Sequence, residues 1–299
     1  MPTPLDDALE LACRHNDLSS AGARLIHHYS NAVYLLPAVP AIARIAVGAD
    51  PARLRANQTV TGWLAREGFP ATAPLDGAEL VEVDEATTAS FWTYYPQPEQ
   101  AEVAPFTSGH LGMLIRSLHD TGQPGTHLTE WRALESLDRA LNSPAAHAAL
   151  TTQDRDWLSR RIIDVRAELA DLAWPLGRGL IHGDAWAGNL LWDVSQTPNL
   201  PVLCDWDSVS HGPREVDLIP TWHAAVRYGR DESWIQMFVD QYGYDLRDWS
   251  GYDALLIMRD LAQLPGPIRR SASPPHAAAL RQRLTAIRSG DRTSSWVAL

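Results

Sequence analysis

The chain has 299 residues, of which 45% are hydrophobic and 20% are charged, and it contains 12 Trp. This composition excludes a disordered chain, because disorder requires low hydrophobicity and high net charge. The formal net charge of −11 repels phosphate backbones, so we expect no nucleic-acid partner. The acidic balance either favours a cationic small-molecule partner or serves solubility alone.

The two cysteines, Cys13 and Cys204, lie far apart and match no metal-binding spacing. Their small number indicates a reduced, cytoplasmic compartment. The first ten residues carry three carboxylates and no apolar stretch of the kind found in secretory signals. No uninterrupted apolar run approaches the roughly 18 residues of a membrane span, so we expect no membrane partner. The sequence leaves the oligomeric state open.

Strands dominate the predicted elements of the first third of the chain. A short amphipathic helix over 6–15 comes first, and Pro51 opens a second helix that ends at Gly68. Short apolar runs without helical periodicity predict an antiparallel meander. These runs are 23–28, 32–36, 41–47, 73–75 and 80–83. An aromatic run over 91–95 ends at Pro96.

The pattern becomes helical after residue 100. Predicted helices cover 107–121, 131–141 and 154–172, and several more lie within 214–288. Two short apolar runs, 179–181 and 202–203, interrupt this helical part. Strands followed by helices predict an α+β fold with a small β-rich N-lobe, 1–96, and a larger helical C-lobe, 97–299. The segment 96–105 is the predicted hinge.

The densest polar cluster reads HGDAWAGN over 182–189, and a second cluster reads LCDWD over 203–207. Both follow apolar runs, which predicts that Asp184, Asn189 and Asp205 lie at strand ends and converge. Phosphoryl transfer needs one carboxylate that accepts the proton of the attacking hydroxyl, and one or two oxygen ligands for Mg²⁺. Asp184 suits the first role, and Asn189 and Asp205 suit the second.

The pattern H-G-D-x-x-x-x-N, followed by an apolar strand and D-W, resembles the aminoglycoside phosphotransferase and choline kinase family, which has a protein-kinase-like fold. The segment 212–218, GPREVDL, is similar to the family's segment after the metal-binding aspartate. The resemblance implies a bilobal kinase-like fold. It also implies transfer of the γ-phosphate of ATP or GTP, with Mg²⁺, to a hydroxyl of a small molecule.

The resemblance also implies nucleotide-binding residues in the N-lobe. Arg44 stands where the family has a phosphate-binding lysine, and Trp92, Thr93 and Tyr94 lie in the segment whose backbone binds the adenine edge. The chain departs from the family in three ways. It contains no lysine, since all 25 basic residues are arginine; Asn57 stands near the position of the family's partner glutamate; and the candidate nucleotide loop over 27–31 has no glycine.

Several further residues have both a functional and a structural interpretation. His182 and Asp217 are expected to support the catalytic loop, and Asp207 is either a second metal or substrate contact or a solvated carboxylate. Arg178 and Arg214 are further phosphate-binding candidates. Aromatic residues in the region where the family builds its acceptor site belong either to that site or to the core. They are Trp222, His223, Trp234, Tyr242 and Tyr244.

The sequence therefore predicts a Mg²⁺-dependent small-molecule phosphotransferase whose acceptor is an aminoglycoside, an amino sugar, another antibiotic or a choline-like alcohol. Only a short segment separates Asp205 from Asp217, which leaves no room for a long activation segment and argues against a protein kinase. The alternative is a kinase-like protein that binds nucleotide or another small molecule but has lost catalysis. The missing lysine motivates this alternative.

Overall fold

The computed structural model describes residues 3–28, 31–99 and 104–299. Contacts divide the chain into two compact units. The first unit comprises 1–106, 122–128 and 188–209, and the second comprises 107–121, 129–187 and 210–299. Among the described residues, no helix is both long enough and apolar enough to cross a membrane.

The strands of the described residues are β1 Arg24–His28, β2 Asn31–Leu36, β3 Ala41–Val47, β4 Val81–Glu82, β5 Thr87–Thr93, β6 Arg178–Ile181, β7 Leu190–Asp193, β8 Leu200–Leu203 and β9 Ser210–Pro213. The helices are α1 Leu5–His15, α2 Pro51–Arg66, α3 Ser108–Asp120, α4 Glu135–Leu141, α5 Pro144–Ala149, α6 Thr152–Ala170, α7 Glu215–Tyr228, α8 Glu232–Tyr242, α9 Tyr252–Ala262, α10 Pro265–Arg269 and α11 Pro274–Ser289. Short 3-10 turns cover Ala187–Asn189, Trp206–Ser208 and Leu246–Asp248.

The first unit is built on an antiparallel sheet with the strand order β1-β2-β3-β5-β4. The buried side of α1 packs on this sheet, where Leu9 and Cys13 join a core with Ile45 and Phe91. Burial raises the pKa of the Cys13 thiol to about 11, so this cysteine stays protonated at neutral pH. Pro51 at the first position of α2 follows Asp50, whose side chain accepts a hydrogen bond from the Ala52 N–H.

The β7–β8 hairpin belongs to the first unit although it lies far along the chain. The Leu203 N–H donates to the Pro70 carbonyl at 2.9 Å, and the Thr72 N–H donates to the Leu203 carbonyl at 3.0 Å. These two bonds attach the hairpin to the segment that follows α2. The sequence run over 202–203 showed part of β8, but its partner β7 was not predicted.

The second unit combines a two-stranded antiparallel sheet, β6–β9, with helices. Helices α3 and α8 pack closely because Gly112 has no side chain, and a Cβ there would lie 2.7 Å from the Phe238 carbonyl oxygen. The helix predicted over 131–141 begins only at Glu135, since the Trp131 N–H donates to the His211 carbonyl at 2.9 Å and holds the chain beside β9.

The predicted strand over 73–75 is absent as a strand and forms an isolated bridge between Pro74 and Trp92. Proline has no N–H and cannot continue a ladder of hydrogen bonds. The other predicted N-terminal strands and both predicted helices are present in the first unit, with bounds that shift by a few residues.

Candidate active site

The loop after β6 is held by one buried carboxylate. Asp217, near the start of α7, is completely buried. Its Oδ2 accepts a hydrogen bond from the His182 N–H at 2.7 Å, and its Oδ1 accepts one from the Gly183 N–H at 2.7 Å. Gly183 has φ +81°, which a side chain would strain. The bonds fix the backbone immediately before Asp184.

Asp217 is itself positioned by a second layer of side chains. The His119 Nε2 lies 3.2 Å from Asp217 Oδ2, and the His119 Nδ1 lies 2.8 Å from the Tyr242 hydroxyl. Burial raises the pKa of Tyr242, so its hydroxyl stays protonated. This chain of contacts connects α3, α7 and α8 to the loop that carries Asp184.

Asp184 follows β6, as the sequence predicted, and 37% of its side chain is exposed. Its N–H donates to the His182 Nδ1 at 3.3 Å. Its Oδ1 accepts a hydrogen bond from the Arg259 Nη1 on α9 at 2.8 Å. The carboxylate is therefore both accessible and paired with a guanidinium.

Asn189 and Asp205 lie at the same end of the β7–β8 hairpin. Leu190 pairs with Leu203 in the hairpin register, and the Cys204 N–H donates to the Asn189 carbonyl at 2.9 Å. Asn189 therefore lies directly before β7, at an end of a strand as the sequence predicted. The two residues therefore lie at one end of the hairpin, and amide and carboxylate oxygens are groups that Mg²⁺ accepts as ligands.

Asp205 adopts the left-handed conformation, with φ 64° and ψ 61°. This backbone region is unfavourable for residues other than Gly, Asn and Asp, and it costs a non-glycine residue about 1 kcal/mol or more.

The candidate site residues are divided between the two units. Asp205, Asn189 and Arg44 belong to the first unit, whereas Asp184 belongs to the second.

Arg44 on β3 forms an ion pair with Asp207, and its Nη2 lies 3.9 Å from Asp205 Oδ1. Only 15% of its side chain is exposed. Burial works to lower the pKa of Arg44, but the charges of Asp207 and Asp205 outweigh it and raise that pKa. Asp207 is therefore a partner of Arg44, a role that the sequence did not suggest.

The position on α2 where the resemblance implied a partner glutamate for Arg44 carries an asparagine. Asn57 on α2 is buried, and its Nδ2 has no hydrogen-bond partner among the described residues. An amide is a poor substitute for a carboxylate beside a guanidinium, which agrees with a partner for Arg44 elsewhere. The candidate nucleotide loop over 27–31 includes residues 29–30, which lie outside the described residues.

In the segment predicted to bind the adenine edge, 92–94, some backbone N–H groups already donate to other parts of the protein. The Thr93 N–H donates to the Ala73 carbonyl at 2.9 Å, and the Tyr94 N–H donates to the Pro40 carbonyl at 2.9 Å. The Trp92 ring N–H donates to Ser90 Oγ at 3.0 Å. Since Pro96 has no N–H, the next backbone donor along the segment is Tyr95.

Arg178 and Arg214 have structural partners within the second unit. Arg178 forms an ion pair with Glu130 at 2.7 Å. Arg214 donates to the backbone carbonyls of Leu176 and His119 at 3.2 and 2.8 Å. Both therefore brace the chain around β6.

Four of the five aromatic candidates for the acceptor region are buried, and Tyr244 is half-buried. The buried ones are Trp222, His223, Trp234 and Tyr242. His223 Nε2 lies 3.1 Å from Asp260 Oδ1, and burial together with the nearby arginines lowers the pKa of His223 to about 4. These four side chains form core.

Arg259 was not found from the sequence. It lies in the helical run Leu255-Leu256-Ile257-Met258-Arg259 with no motif around it. Only the packing of α9 places its guanidinium beside Asp184.

The profile of the phosphotransferase enzyme family, APH, matches residues 22–255. A comparison with curated protein sequences gave no match.

Solved structures with similar folds include three that act on different small molecules by their names. A microcompartment-associated aminopropanol kinase has a TM-score of 0.71 and 20% identity, over 96% of this chain and 98% of that one. The amicoumacin kinase hAmiN, in complex with AMP-PNP, Ca²⁺ and Ami, has a TM-score of 0.71 and 14% identity, over 96% and 94%. The spectinomycin phosphotransferase APH(9)-Ia, with ADP and spectinomycin, has a TM-score of 0.61 and 15% identity, over 97% and 95%.

These similarities confirm the predicted kinase-like α+β fold, with a small antiparallel sheet followed by a helical part. The match of the family profile extends from the segment before β1 to α9, and it includes the motif HGDAWAGN over 182–189. The chain belongs to the phosphotransferase enzyme family.

Proposed function

We propose that this protein transfers the γ-phosphate of a nucleoside triphosphate, ATP or GTP, to a hydroxyl of a small molecule. The observation that carries the proposal is the loop after β6. Asp217 fixes its backbone through two bonds of 2.7 Å, so the accessible carboxylate of Asp184 is presented on a rigid support. A base must be held in this way to meet the proton of the attacking hydroxyl.

Asp184 is the proposed base. Its carboxylate accepts the hydroxyl proton while the acceptor oxygen bonds to the γ-phosphorus. The bond between that phosphorus and its bridging oxygen breaks, and the nucleoside diphosphate leaves with the electron pair. Positioning and electrostatic stabilisation supply most of the catalysis in such transfers.

Asn189 and Asp205 are the proposed ligands of Mg²⁺. Their place at one end of the β7–β8 hairpin and their oxygen donors support this assignment. The ion, when bound, would neutralise charge on the β- and γ-phosphates.

Arg44 is the proposed phosphate-binding cation in this lysine-free chain. Its guanidinium is buried near Asp205, and Asp207 holds it in place. A guanidinium has a planar fork that suits phosphate oxygens. For the adenine edge we propose the backbone around Trp92, Thr93 and Tyr94, with the Tyr95 N–H as donor, because the N–H groups of Thr93 and Tyr94 are already bonded.

The acceptor is a small molecule in this proposal. α7 begins at Glu215, so the segment between Asp205 and that helix consists of a short turn and β9. Such a segment offers no surface to dock a peptide. The similar structures act on aminopropanol, amicoumacin or spectinomycin, so the fold alone leaves the acceptor open among amino alcohols, amino sugars, aminoglycosides and other antibiotics.

The test is nucleotide consumption with Mg²⁺ against a panel of hydroxylated acceptors. We expect Asp184→Asn to reduce acceptor-dependent turnover by at least about a thousandfold, because the proton acceptor and its charge are lost. Asp156→Asn, an exposed carboxylate on α6, is the matched control and should retain turnover. Wild-type turnover in Asp184→Asn would exclude the proposed role. Nucleotide binding without turnover of any acceptor would favour a protein that binds without catalysing.

A further inference from the structure

The most informative contact outside the expected machinery is the pairing of Arg259 with Asp184. Arg259 Nη1 donates to Asp184 Oδ1 at 2.8 Å, and 15% of the Arg259 side chain is exposed. Both residues belong to the second unit. Any hydroxyl that donates its proton to Asp184 must therefore arrive beside a guanidinium.

Arg259 is not the only positive charge in this neighbourhood. Arg227 and Arg283 lie near Tyr228 together with Arg259, and the three guanidinium charges act on that residue. The carboxylate beside them, Asp260, is already paired with Arg227, with contacts of 2.8 and 2.6 Å. His223 adds no positive charge at neutral pH, because its pKa is lowered to about 4 by burial and by Arg259 and Arg227.

Arg259 also has donor capacity that the protein does not use. Its Nε is buried and has no hydrogen-bond partner among the described residues. A ligand cannot reach this buried atom, but 15% of the Arg259 side chain is exposed, and a ligand oxygen beside that exposed part would accept a charge-assisted hydrogen bond from the guanidinium. Such an oxygen is best supplied by a carboxylate, a phosphate or a second hydroxyl.

We propose that Arg259 determines the acceptor class: the acceptor carries an anionic or neutral oxygen group, and no ammonium group, next to the hydroxyl that is phosphorylated. The inference rests on the proposed function, since it requires Asp184 to be the base. The net charge of −11 acts at long range and is screened by salt, whereas Arg259 acts within the bound complex. The local charge therefore decides selectivity near the reacting hydroxyl, against the cationic acceptor that the overall charge favours.

The test uses acceptors that share a carbon skeleton and differ in charge. One set is 1-amino-2-propanol, 1,2-propanediol and 2-hydroxypropanoate, and the other is glucosamine, glucose and glucuronate. Since about 1.4 kcal/mol of repulsion in the transition state lowers the rate about tenfold, we expect the wild type to prefer the hydroxyl or carboxylate member over the amine by at least roughly tenfold in kcat/KM. A preference for the amine in either set would overturn the inference.

Variants separate charge from packing. Arg259→Gln should bring the selectivity ratio within about threefold of unity, while Arg259→Lys keeps the charge and should keep most of the ratio. The control is Arg292→Gln, which removes another arginine–aspartate pair. Arg292 lies 2.5 Å from Asp253, and Asp253 is on α9, the helix that also carries Arg259. This change should leave the ratio unchanged. A ratio that is the same in Arg259→Gln and the wild type would contradict the proposal.

If none of these acceptors is phosphorylated, their binding to the protein tests the inference instead. Thermal unfolding of the full chain with Mg²⁺ and nucleotide should then show stabilisation by the carboxylate compounds in the wild type and less in Arg259→Gln. Equal or greater stabilisation by the amines, or none by any carboxylate, would overturn the inference. Turnover that persists in Asp184→Asn would instead remove the proposed function itself, so the two failures are distinguishable.

Discussion

Asp217 illustrates how one residue can define a loop. A completely buried carboxylate is tolerable only when its oxygens are satisfied. Here two backbone N–H groups and His119 supply the hydrogen bonds. These hydrogen bonds offset the cost of burying the charge, and they fix the backbone that carries Asp184.

The ion pair between Asp207 and Arg44 gives a prediction about nucleotide binding. Asp207→Asn removes the carboxylate that holds the Arg44 guanidinium. A buried guanidinium that loses its partner is no longer positioned, so we expect the KM for nucleotide to rise about tenfold, with a smaller change in KM for the acceptor. Steady-state kinetics with each substrate varied in turn measures both values.

Asp76→Asn, an exposed carboxylate in a turn of the first unit, serves as the control for this change. If the KM for nucleotide is unaltered in Asp207→Asn, then Arg44 either needs no partner or does not bind phosphate. A rise in the acceptor KM alone would place Asp207 in contact with the acceptor.

At the scale of elements, the position of a glycine controls how closely two helices pack. Gly112 on α3 faces α8, and a Cβ there would meet the backbone oxygen of Phe238 at 2.7 Å. Backbone cannot move aside as a flexible side chain can. We expect Gly112→Ala to lower the free energy of unfolding by about 1–3 kcal/mol through overpacking, measured by urea denaturation.

Gly109→Ala is the matched control on the same helix. A Cβ at Gly109 would lie 3.4 Å from its nearest atoms, and alanine gains up to about 1 kcal/mol of helix propensity over glycine. This variant should be neutral or slightly more stable. Equal destabilisation by both changes would contradict a specific clash at Gly112.

The same scale shows what periodicity can predict. The patterns over 41–47 and 51–66 depend on local alternation and capping, and both elements are present. The start of α4 depends instead on a distant contact between Trp131 and His211. Strands β7 and β9 each have four residues and exist through pairing, so their sequences carry little local signal.

At the scale of the molecule, a buried charge network within the second unit joins the end of the chain to α7 and α9. Arg227 donates to Asp260 and to the carbonyl oxygens of Asp291 and Ser294. The Trp296 ring lies 4.5 Å from the Arg227 guanidinium, and the backbone N–H of Trp296 donates to the Arg227 carbonyl at 2.6 Å. The network fixes the segment after α11 against α7.

This network predicts a stability that depends on pH. The pKa of His223 is lowered to about 4, below its unfolded value of about 6.5, so the unfolded state binds more protons between these values. Stability therefore falls as the pH falls from about 6.5 towards 4, by at most about 3 kcal/mol. Urea denaturation at pH 7 and pH 4.5 measures the loss.

His223→Gln removes the titrating group and should flatten the pH dependence in that window. The exposed His147 provides the control, because His147→Gln should keep the wild-type slope. An unchanged slope in His223→Gln would assign the acid sensitivity to other groups, such as Asp260, whose lowered pKa would act at still lower pH.

The sequence by itself determined the family, several strands and helices of the first unit and the candidate residues Asp184, Asn189 and Asp205, because periodicity and capping are local and phosphoryl transfer requires fixed residue types at close spacing within one motif. Tertiary structure alone decided the neighbours of those residues. Asp207 holds Arg44, Arg259 pairs with Asp184, and Arg178 binds Glu130. These contacts join residues that are 48 to 163 positions apart, and no local pattern encodes them, since each depends on how distant elements pack.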